Sequence, residues 1–431
     1  IPSYVAAAAL RAAFGTGGLV SAIPRPSGFG GSLLVLTAVT YPYVLLPVAA
    51  RLRSMPASLE EAGRLLGSSR AGVFKRVVLP QARTAIISGT LIVFLYALSD
   101  FGAVSLMRYD TVTRAIFASR LADRSSALAL GLVLGVIALA VAAASRSSGH
   151  NGEQNAASSV RIYSLGRARY AAMAGVGGVI GLALVAPIAV FLVWWLRGTG
   201  SSSWVQNVRA LWDPAFHSAL AGMAAGGLAI VLLLPAAYLV ARRSSRVAAA
   251  ANASIASTFA LPGLVLALSL VYWVLQAPGP IDRLYQSFPL LILAYVVHFG
   301  VQAHRSSSSA VQALPKRYSE AARVLGAGAV RRFLSVDLPL ILPGVTAGGG
   351  LVMLSTLKEL PATLLLAPTG FDTLATRVWG AAADGFLGEV GVTSLVLIML
   401  SAVLTWFLVL RPSGLTDRVV DQSQEVIAYH R

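Results

Sequence analysis

Apolar stretches of twenty residues or more recur along this chain and alternate with shorter polar stretches rich in arginine. Four lie in the first half, at 2–20, 31–50, 84–106 and 125–144. Six lie in the second, at 171–196, 219–241, 247–281, 284–303, 338–357 and 390–410. A helix of about 20 apolar residues crosses the roughly 30 Å hydrocarbon core of a bilayer, so the pattern predicts an all-α integral membrane protein with about 10 transmembrane helices. Arg11 interrupts the first stretch. An arginine at mid-bilayer costs about 2.5–3.5 kcal/mol on insertion scales, which places it near an end of its span or facing protein. Residues 145–160 are Ser, Gly, Asn and Gln with few apolar positions, the composition of a linker. The expected organisation is a first repeat at 1–145, a linker at 146–168, a second repeat at 169–412 and a polar tail at 413–431.

The word "repeat" rests on one polar stretch that occurs twice. Glu61-Ala62-Gly63-Arg64-Leu65-Leu66-Gly67 is followed after nine residues by Val77-Val78-Leu79-Pro80. Glu320-Ala321-Ala322-Arg323-Val324-Leu325-Gly326 is followed, again after nine, by Val336-Asp337-Leu338-Pro339. Glu61 and Glu320 are 259 residues apart, as are Pro80 and Pro339 and, upstream, Pro56 and Pro315. A shared register without a gap predicts an internal duplication. Each copy reads as a short helix outside the bilayer. Ser58 and Glu61 have the spacing of a capping box. Leu59, Ala62 and Leu66 share a face, as do Tyr318, Ala321, Ala322 and Leu325. Gly67 is placed to end the helix in a left-handed turn, and Pro80 to sit in the first turn of the next one. The residues alone leave open a plainer reading, two surface hairpins that merely connect spans.

The pattern Glu-Ala-Ala, three residues, Gly, nine residues, aliphatic-x-Leu-Pro resembles the cytoplasmic loop motif of type I binding-protein-dependent ABC importer permeases. The resemblance implies a helix in each loop that docks on an ATPase subunit, two copies of that ATPase, an extracytoplasmic substrate-binding protein, and a fold of six plus six spans in two parallel repeats. The residues it assigns to coupling are Glu61, Ala62, Gly67, Leu79 and Pro80, with Glu320, Ala321, Ala322, Gly326, Leu338 and Pro339. Glu61 and Glu320 are expected to act by capping or by pairing with a basic residue of the partner. Gly63 departs from the second Ala of the motif. A mid-helix Gly costs about 1 kcal/mol relative to Ala, so the first loop is expected to be the softer.

Composition agrees with a membrane protein: 56% of residues are hydrophobic and 12% charged, against about 25% charged in soluble domains. The formal charge of +17 is read as basic loops, not as a nucleic-acid surface. Threading the spans puts both motif loops, the cluster Arg242, Arg243 and Arg246, the linker and the C-terminus on one side. The positive-inside rule makes that side cytoplasmic, and the resemblance implies a bacterial plasma (inner) membrane. Cysteine is absent, so disulfides and thiolate metal sites are excluded. Ile1-Pro2-Ser3 resembles Leu261-Pro262-Gly263, and two apolar stretches precede the latter. The duplication therefore predicts that a stretch of roughly 90 residues with two helices precedes residue 1 in the whole protein.

No phosphate-cradling Gly-x-x-x-x-Gly-Lys-Ser/Thr stretch, no His-Glu-x-x-His and no nucleophile elbow appears. The chain is therefore expected to be no enzyme, to bind no metal or cofactor itself, and to leave ATP to a separate polypeptide. The informative acids are Asp100 and Glu359, again 259 apart, the latter preceded by Lys358. Sixteen helical steps from Thr84 put Asp100 about 24 Å along its span, towards the outer end. These three residues are candidates for the translocation pathway. The competing reading is a pair of interfacial residues at helix ends, each reaching water. His298 reads as a satisfied packing histidine, Trp194, Trp195, Trp204 and Trp212 as an interfacial belt, and Ser306 to Ser309 as a hinge or solvated turn.

Around the acids, Asp100-Phe101-Gly102-Ala103-Val104 with Tyr109-Asp110-Thr111-Val112-Thr113 resembles the ferric-iron branch of the family. So does Lys358-Glu359-Leu360-Pro361-Ala362-Thr363 with Gly370-Phe371-Asp372-Thr373. Thiamine, phosphonate, sulfate and polyamine permeases share the architecture and remain alternatives. A different class, an ion-coupled secondary transporter with Asp100 and Glu359 as proton or cation sites, is also open. A membrane scaffold is the third option, and it leaves the two identically spaced loops without a purpose.

Overall fold

The computed structural model describes residues 1–15, 17–148, 166–198, 210–243 and 245–410. The expected linker falls largely, and the expected tail wholly, outside them, as do Trp204 and the loop around it. The described residues are almost entirely helical, and their only β-feature is an isolated bridge between Phe14 and Val20. The chain divides into two compact units, Ile1–Phe191 and Leu192–Arg431.

The first unit runs through α1 (Ser3–Ala13), α2 (Gly28–Arg53), α3 (Ala57–Leu65), α4 (Arg70–Ser99), α5 (Gly102–Leu106), α6 (Val112–Ser119) and α7 (Arg124–Ser148). Helix α8 (Ala168–Arg197) crosses the division. The second unit contains α9 (Trp212–Arg242), α10 (Arg246–Thr258), α11 (Gly263–Gln276), α12 (Phe288–Ala313), α13 (Lys316–Val324), α14 (Ala329–Leu357), α15 (Pro361–Leu366), α16 (Leu374–Asp384) and α17 (Leu387–Leu408). The series α1 to α7 reappears, element for element, as α11 to α17. Helices α2 and α12 have 26 residues each, and α3 and α13 have 9 each. The duplication read from one motif therefore extends through the fold.

Seven helices in the described residues are long and apolar enough to cross a membrane, or eight if a bent pair counts as one span. The expectation of about ten differs at identifiable places. The stretch 2–20 forms only the 11-residue α1, which stops at Phe14 before Gly15 at φ +86°. The stretch 247–281 is two helices, α10 and α11, meeting at 103°. Pro262 sits at the break: it has no N–H to continue the helical ladder, and it disfavours helical backbone at Leu261. Helix α12 is long enough, but His298, Gln302, His304, Arg305 and the four serines make its second half polar.

Those serines are interior helix, not a turn. Ser307 is 1% exposed, and the Ser306 hydroxyl donates to the Gly344 carbonyl of α14 at 2.7 Å. Small residues let helices approach where no water is displaced. A Cβ on Gly348 would stand 2.9 Å from the Ser306 Cβ, and one on Gly226 of α9 would stand 2.7 Å from the Gly349 carbonyl oxygen. Helices α9, α12 and α14 thus form the packed centre of the second unit, with Ala225, Ala229, Leu291, Tyr295 and Val352 buried between them. In the first unit Gly89 of α4 plays the part of Gly348: its Cβ would stand 2.8 Å from the Tyr43 carbonyl oxygen of α2.

Candidate functional site

The two motif loops fold alike. Each begins with a proline in extended backbone, Pro56 at ψ 130° and Pro315 at ψ 131°, so the helix starts at the next residue. The capping box expected from Ser58 and Glu61 is absent. Pro56 takes the N-cap place, and Ser58 lies one residue inside the first helical position, where its hydroxyl cannot cap. Both helices end in the same hydrogen-bond pattern. Gly67 and Gly326 both have φ +80°. The N–H of Ser68 donates to the Gly63 carbonyl at 3.1 Å and that of Gly67 to Arg64 at 2.9 Å. Ala327 donates to Ala322 at 3.0 Å and Gly326 to Arg323 at 3.0 Å. These are the paired 6→1 and 5→2 bonds of a Schellman motif, and they require a left-handed residue.

The turn throws two aliphatic side chains outward in each copy. Leu65 and Leu66 are 88% and 86% exposed, and Val324 and Leu325 are 86% and 87% exposed. Glu61, Ala62, Glu320 and Ala321 are also exposed, whereas Ala322 is buried. The predicted apolar stripe therefore faces away from the chain at its tip. The same exposed aliphatic pair thus stands at equivalent places of both repeats.

The end of the motif carries a second shared irregularity. Phe74–Val78 and Phe333–Asp337 are π-helical turns. The N–H of Leu79 bonds the carbonyl of Phe74, and that of Leu338 bonds Phe333, five residues back instead of four. Pro80 and Pro339 follow directly. A proline in a continuing helix has no N–H to give and its ring crowds the carbonyl four residues earlier, and the wider turn accommodates both. Leu79-Pro80 and Leu338-Pro339 thus mark where each loop becomes a span, in a helix that is not interrupted.

Asp100 and Glu359 follow the spans that begin at those prolines. Each carboxylate sits at the start of two helices. In the first unit one Asp100 oxygen accepts from the N–H groups of Ala103 at 2.9 Å and Val104 at 3.3 Å, at the head of α5. The other accepts the Ser3 hydroxyl at the head of α1. In the second unit Glu359 Oε1 accepts the Ala362 N–H at 3.1 Å, at the head of α15. The same oxygen would lie 2.8 Å from a Cβ on Gly263, the first residue of α11. Helix N-termini favour negative charge and offer unsatisfied donors. The Thr113 hydroxyl donates to the Asp100 carbonyl at 2.7 Å, and the Thr363 hydroxyl to the Glu359 carbonyl at 2.8 Å. The Tyr295 hydroxyl lies 2.7 Å from Thr363 and, with that hydroxyl already donating, gives its own proton.

Asp100 is buried at 8% exposure, Glu359 partly buried, and Lys358 exposed. Lys358 therefore lies apart from the buried pattern of its neighbour. His298 Nε2 would lie 3.4 Å from the same Gly263 Cβ, beside the Glu359 carboxylate. The imidazole packs against Phe299 at 4.4 Å between ring centres. It is not satisfied: its buried Nδ1 has no hydrogen-bond partner among the described residues. The nearness of His298 and Glu359 to Gly263 was not visible in sequence, where 61 residues separate the two, and only the likeness of Ile1-Pro2-Ser3 to Leu261-Pro262-Gly263 hinted at what surrounds either acid.

Comparison with known proteins places these features in a family. The family model described as "Binding-protein-dependent transport system inner membrane component" matches residues 1–147 and 233–411. The Fe(3+)-transport system permease protein FbpB 2 of Haemophilus influenzae is 29% identical over 391 residues, covering 88% of this chain and 76% of that protein. The probable ABC transporter permease protein y4fN of Sinorhizobium fredii is 25% identical, covering 84% and 70%. The molybdenum transport system permease protein ModB of Mycobacterium tuberculosis is 31% identical over 153 residues, covering 33% of this chain and 58% of that protein.

Proposed function

Since this chain belongs to the family of binding-protein-dependent transport system inner membrane components, we propose that it carries ferric iron across a bacterial inner membrane, driven by ATP hydrolysed on two separate ATPase subunits. A substrate-binding protein delivers the cargo from outside. The ATPases grip the helices at 61–67 and 320–326 from the cytoplasm. Their closure on ATP rocks the spans between outward-facing and inward-facing states, because they bind the two states with different affinity.

The observation that carries this reading is the pair of equivalent loop helices whose aliphatic tips, Leu65, Leu66, Val324 and Leu325, are bare. A permease that docked on no ATPase would have no use for two such tips. Ferric iron is favoured as cargo because the Haemophilus influenzae Fe(3+) permease aligns along 88% of the chain, whereas the Mycobacterium tuberculosis molybdenum permease aligns along 33%. An oxyanion is the second reading, since molybdenum and sulfate permeases are among the relatives. Asp100 and Glu359 act in this scheme at the outer ends of the spans, holding the short helices that border the pathway.

Uptake of radioactive iron by cells carrying the full transporter tests the proposal. Uptake should need the chain, persist under an uncoupler while ATP is held constant, and ignore excess molybdate or sulfate. Collapse with the uncoupler would point to an ion-coupled transporter, and competition by an oxyanion would reassign the cargo.

A further inference from the structure

The second motif loop contains a buried acid in an otherwise basic stretch. Asp337 is the last residue of the π-turn Phe333–Asp337 and is 1% exposed. Its two oxygens have separate partners on separate elements. Oδ2 accepts the Tyr238 hydroxyl of α9 at 2.8 Å, and Oδ1 accepts the Ser319 hydroxyl of α13 at 2.7 Å. The Tyr238 ring meets Phe333, on the same π-turn, edge-on at 6.1 Å. One turn further along α9, Arg242 lies 5.9 Å over the Tyr238 ring and donates to the Leu314 carbonyl at 3.2 Å, immediately before the loop begins. The last turn of α9 therefore holds the second loop at both its entry and its exit.

The first loop lacks this acid and its hydroxyl partner. Val78 stands where Asp337 stands, and Glu60 where Ser319 stands. A tie across its entry and exit runs from Arg51 Nε on α2 to the Gln81 carbonyl on α4, at 3.3 Å. A buried carboxylate with two hydroxyl donors is expensive to uncouple, because losing either donor strands a desolvated oxygen. It fixes geometry in a way that an apolar contact, which can slide, does not.

We propose that Asp337 is a positioning residue that locks the second coupling helix to α9, so that a push on α13 reaches α9 as a rigid displacement. The proposal rests on the importer reading above. It assigns the two loops different mechanical roles: both dock, and the second carries the stiff link into the spans.

The test uses the complete transporter, permease with its ATPases, reconstituted in vesicles with its binding protein and ferric iron. The quantity read is iron transported per ATP hydrolysed. Asp337→Ala should keep the ATPases bound and hydrolysing but lower that ratio about tenfold, the size expected from losing hydrogen bonds to a charged group. Tyr238→Phe, which removes a single hydroxyl, should lower it in the same direction. Adding Tyr238→Phe to Asp337→Ala should change little further, because the interaction is already gone. Asp337→Asn should recover most of the ratio, since its amide can accept from Ser319 and donate to the Tyr238 oxygen. An unchanged ratio in both Asp337→Ala and Tyr238→Phe overturns the proposal. So does loss of the ATPases from Asp337→Ala, which would make the residue part of the docking surface. Absence of any ATPase on the native chain would instead defeat the importer reading itself.

Discussion

The two motif loops share what they expose and differ in what faces their own unit. Helix length, the left-handed glycine, the paired Schellman bonds, the π-turn and the bare aliphatic tip are the same in both. The anchors are not. The first loop ties its flanking helices to each other through Arg51 and Gln81, and the second ties to α9 through Asp337 and Arg242. After a duplication, surfaces that must fit the same partner are held to one solution, while the interior is free to diverge.

The far ends of the same spans, away from the loops, teach a related lesson about volume. The first unit pairs a short acid with a hydroxyl, Asp100 with Ser3. The second pairs a longer acid with no side chain at all, Glu359 with Gly263. Either combination delivers a carboxylate to the heads of two helices; a mixture would overfill or underfill the site.

These comparisons can be broken in a graded series. The largest effect is expected from Glu61→Ala combined with Glu320→Ala, which should abolish iron uptake while leaving insertion intact, as read by uptake beside a membrane-fraction blot. Next, Gly263→Ala should destabilise the protein by about 1–3 kcal/mol, because its Cβ would stand 2.8 Å from Glu359 Oε1. Thermal unfolding of the purified transporter measures this. Asp100→Glu alone should cost a similar amount, and pairing it with Ser3→Gly should return more than half of the loss by copying the second unit. A smaller effect is expected at the left-handed turns: Gly67→Ala and Gly326→Ala should each cost about 1–2 kcal/mol of local stability, read by hydrogen exchange of the loop amides. The smallest is Gly63→Ala. It gains helix propensity of about 1 kcal/mol but pushes a methyl to 3.3 Å from Val73 Cγ2, so exchange in the first loop should change by less than a factor of five.

Most of the helical plan was legible because apolar runs near twenty residues leave few alternatives to a span. The duplication was legible for a different reason: its anchors are Gly, Pro and Glu, residues whose backbone roles do not drift with packing. The left-handed turn at Gly67 was read from the residues, and Gly326 repeats it. The capping box failed because Ser58 and Glu61 have the right spacing in a helix that Pro56 starts two residues earlier. The break before Pro262 was hidden inside a continuous apolar run, where hydropathy alone does not register a 103° bend. The serines 306–309 misled because small polar residues suit both a turn and a tight helix interface, and only the neighbouring Gly344 and Gly348 decide between them. Asp337 was visible as an acid among arginines, but its partner Tyr238 lies 99 residues away, beyond any local pattern.

The central claim is that two duplicated helices dock on an ATPase through their bare tips. Its most direct measurement is affinity purification of the chain from native membranes, with the amount of nucleotide-binding subunit quantified against it. The account predicts two copies per chain, and loss of both when Leu66→Asp and Leu325→Asp are introduced together. Undiminished recovery of that subunit with the doubly substituted chain would contradict it.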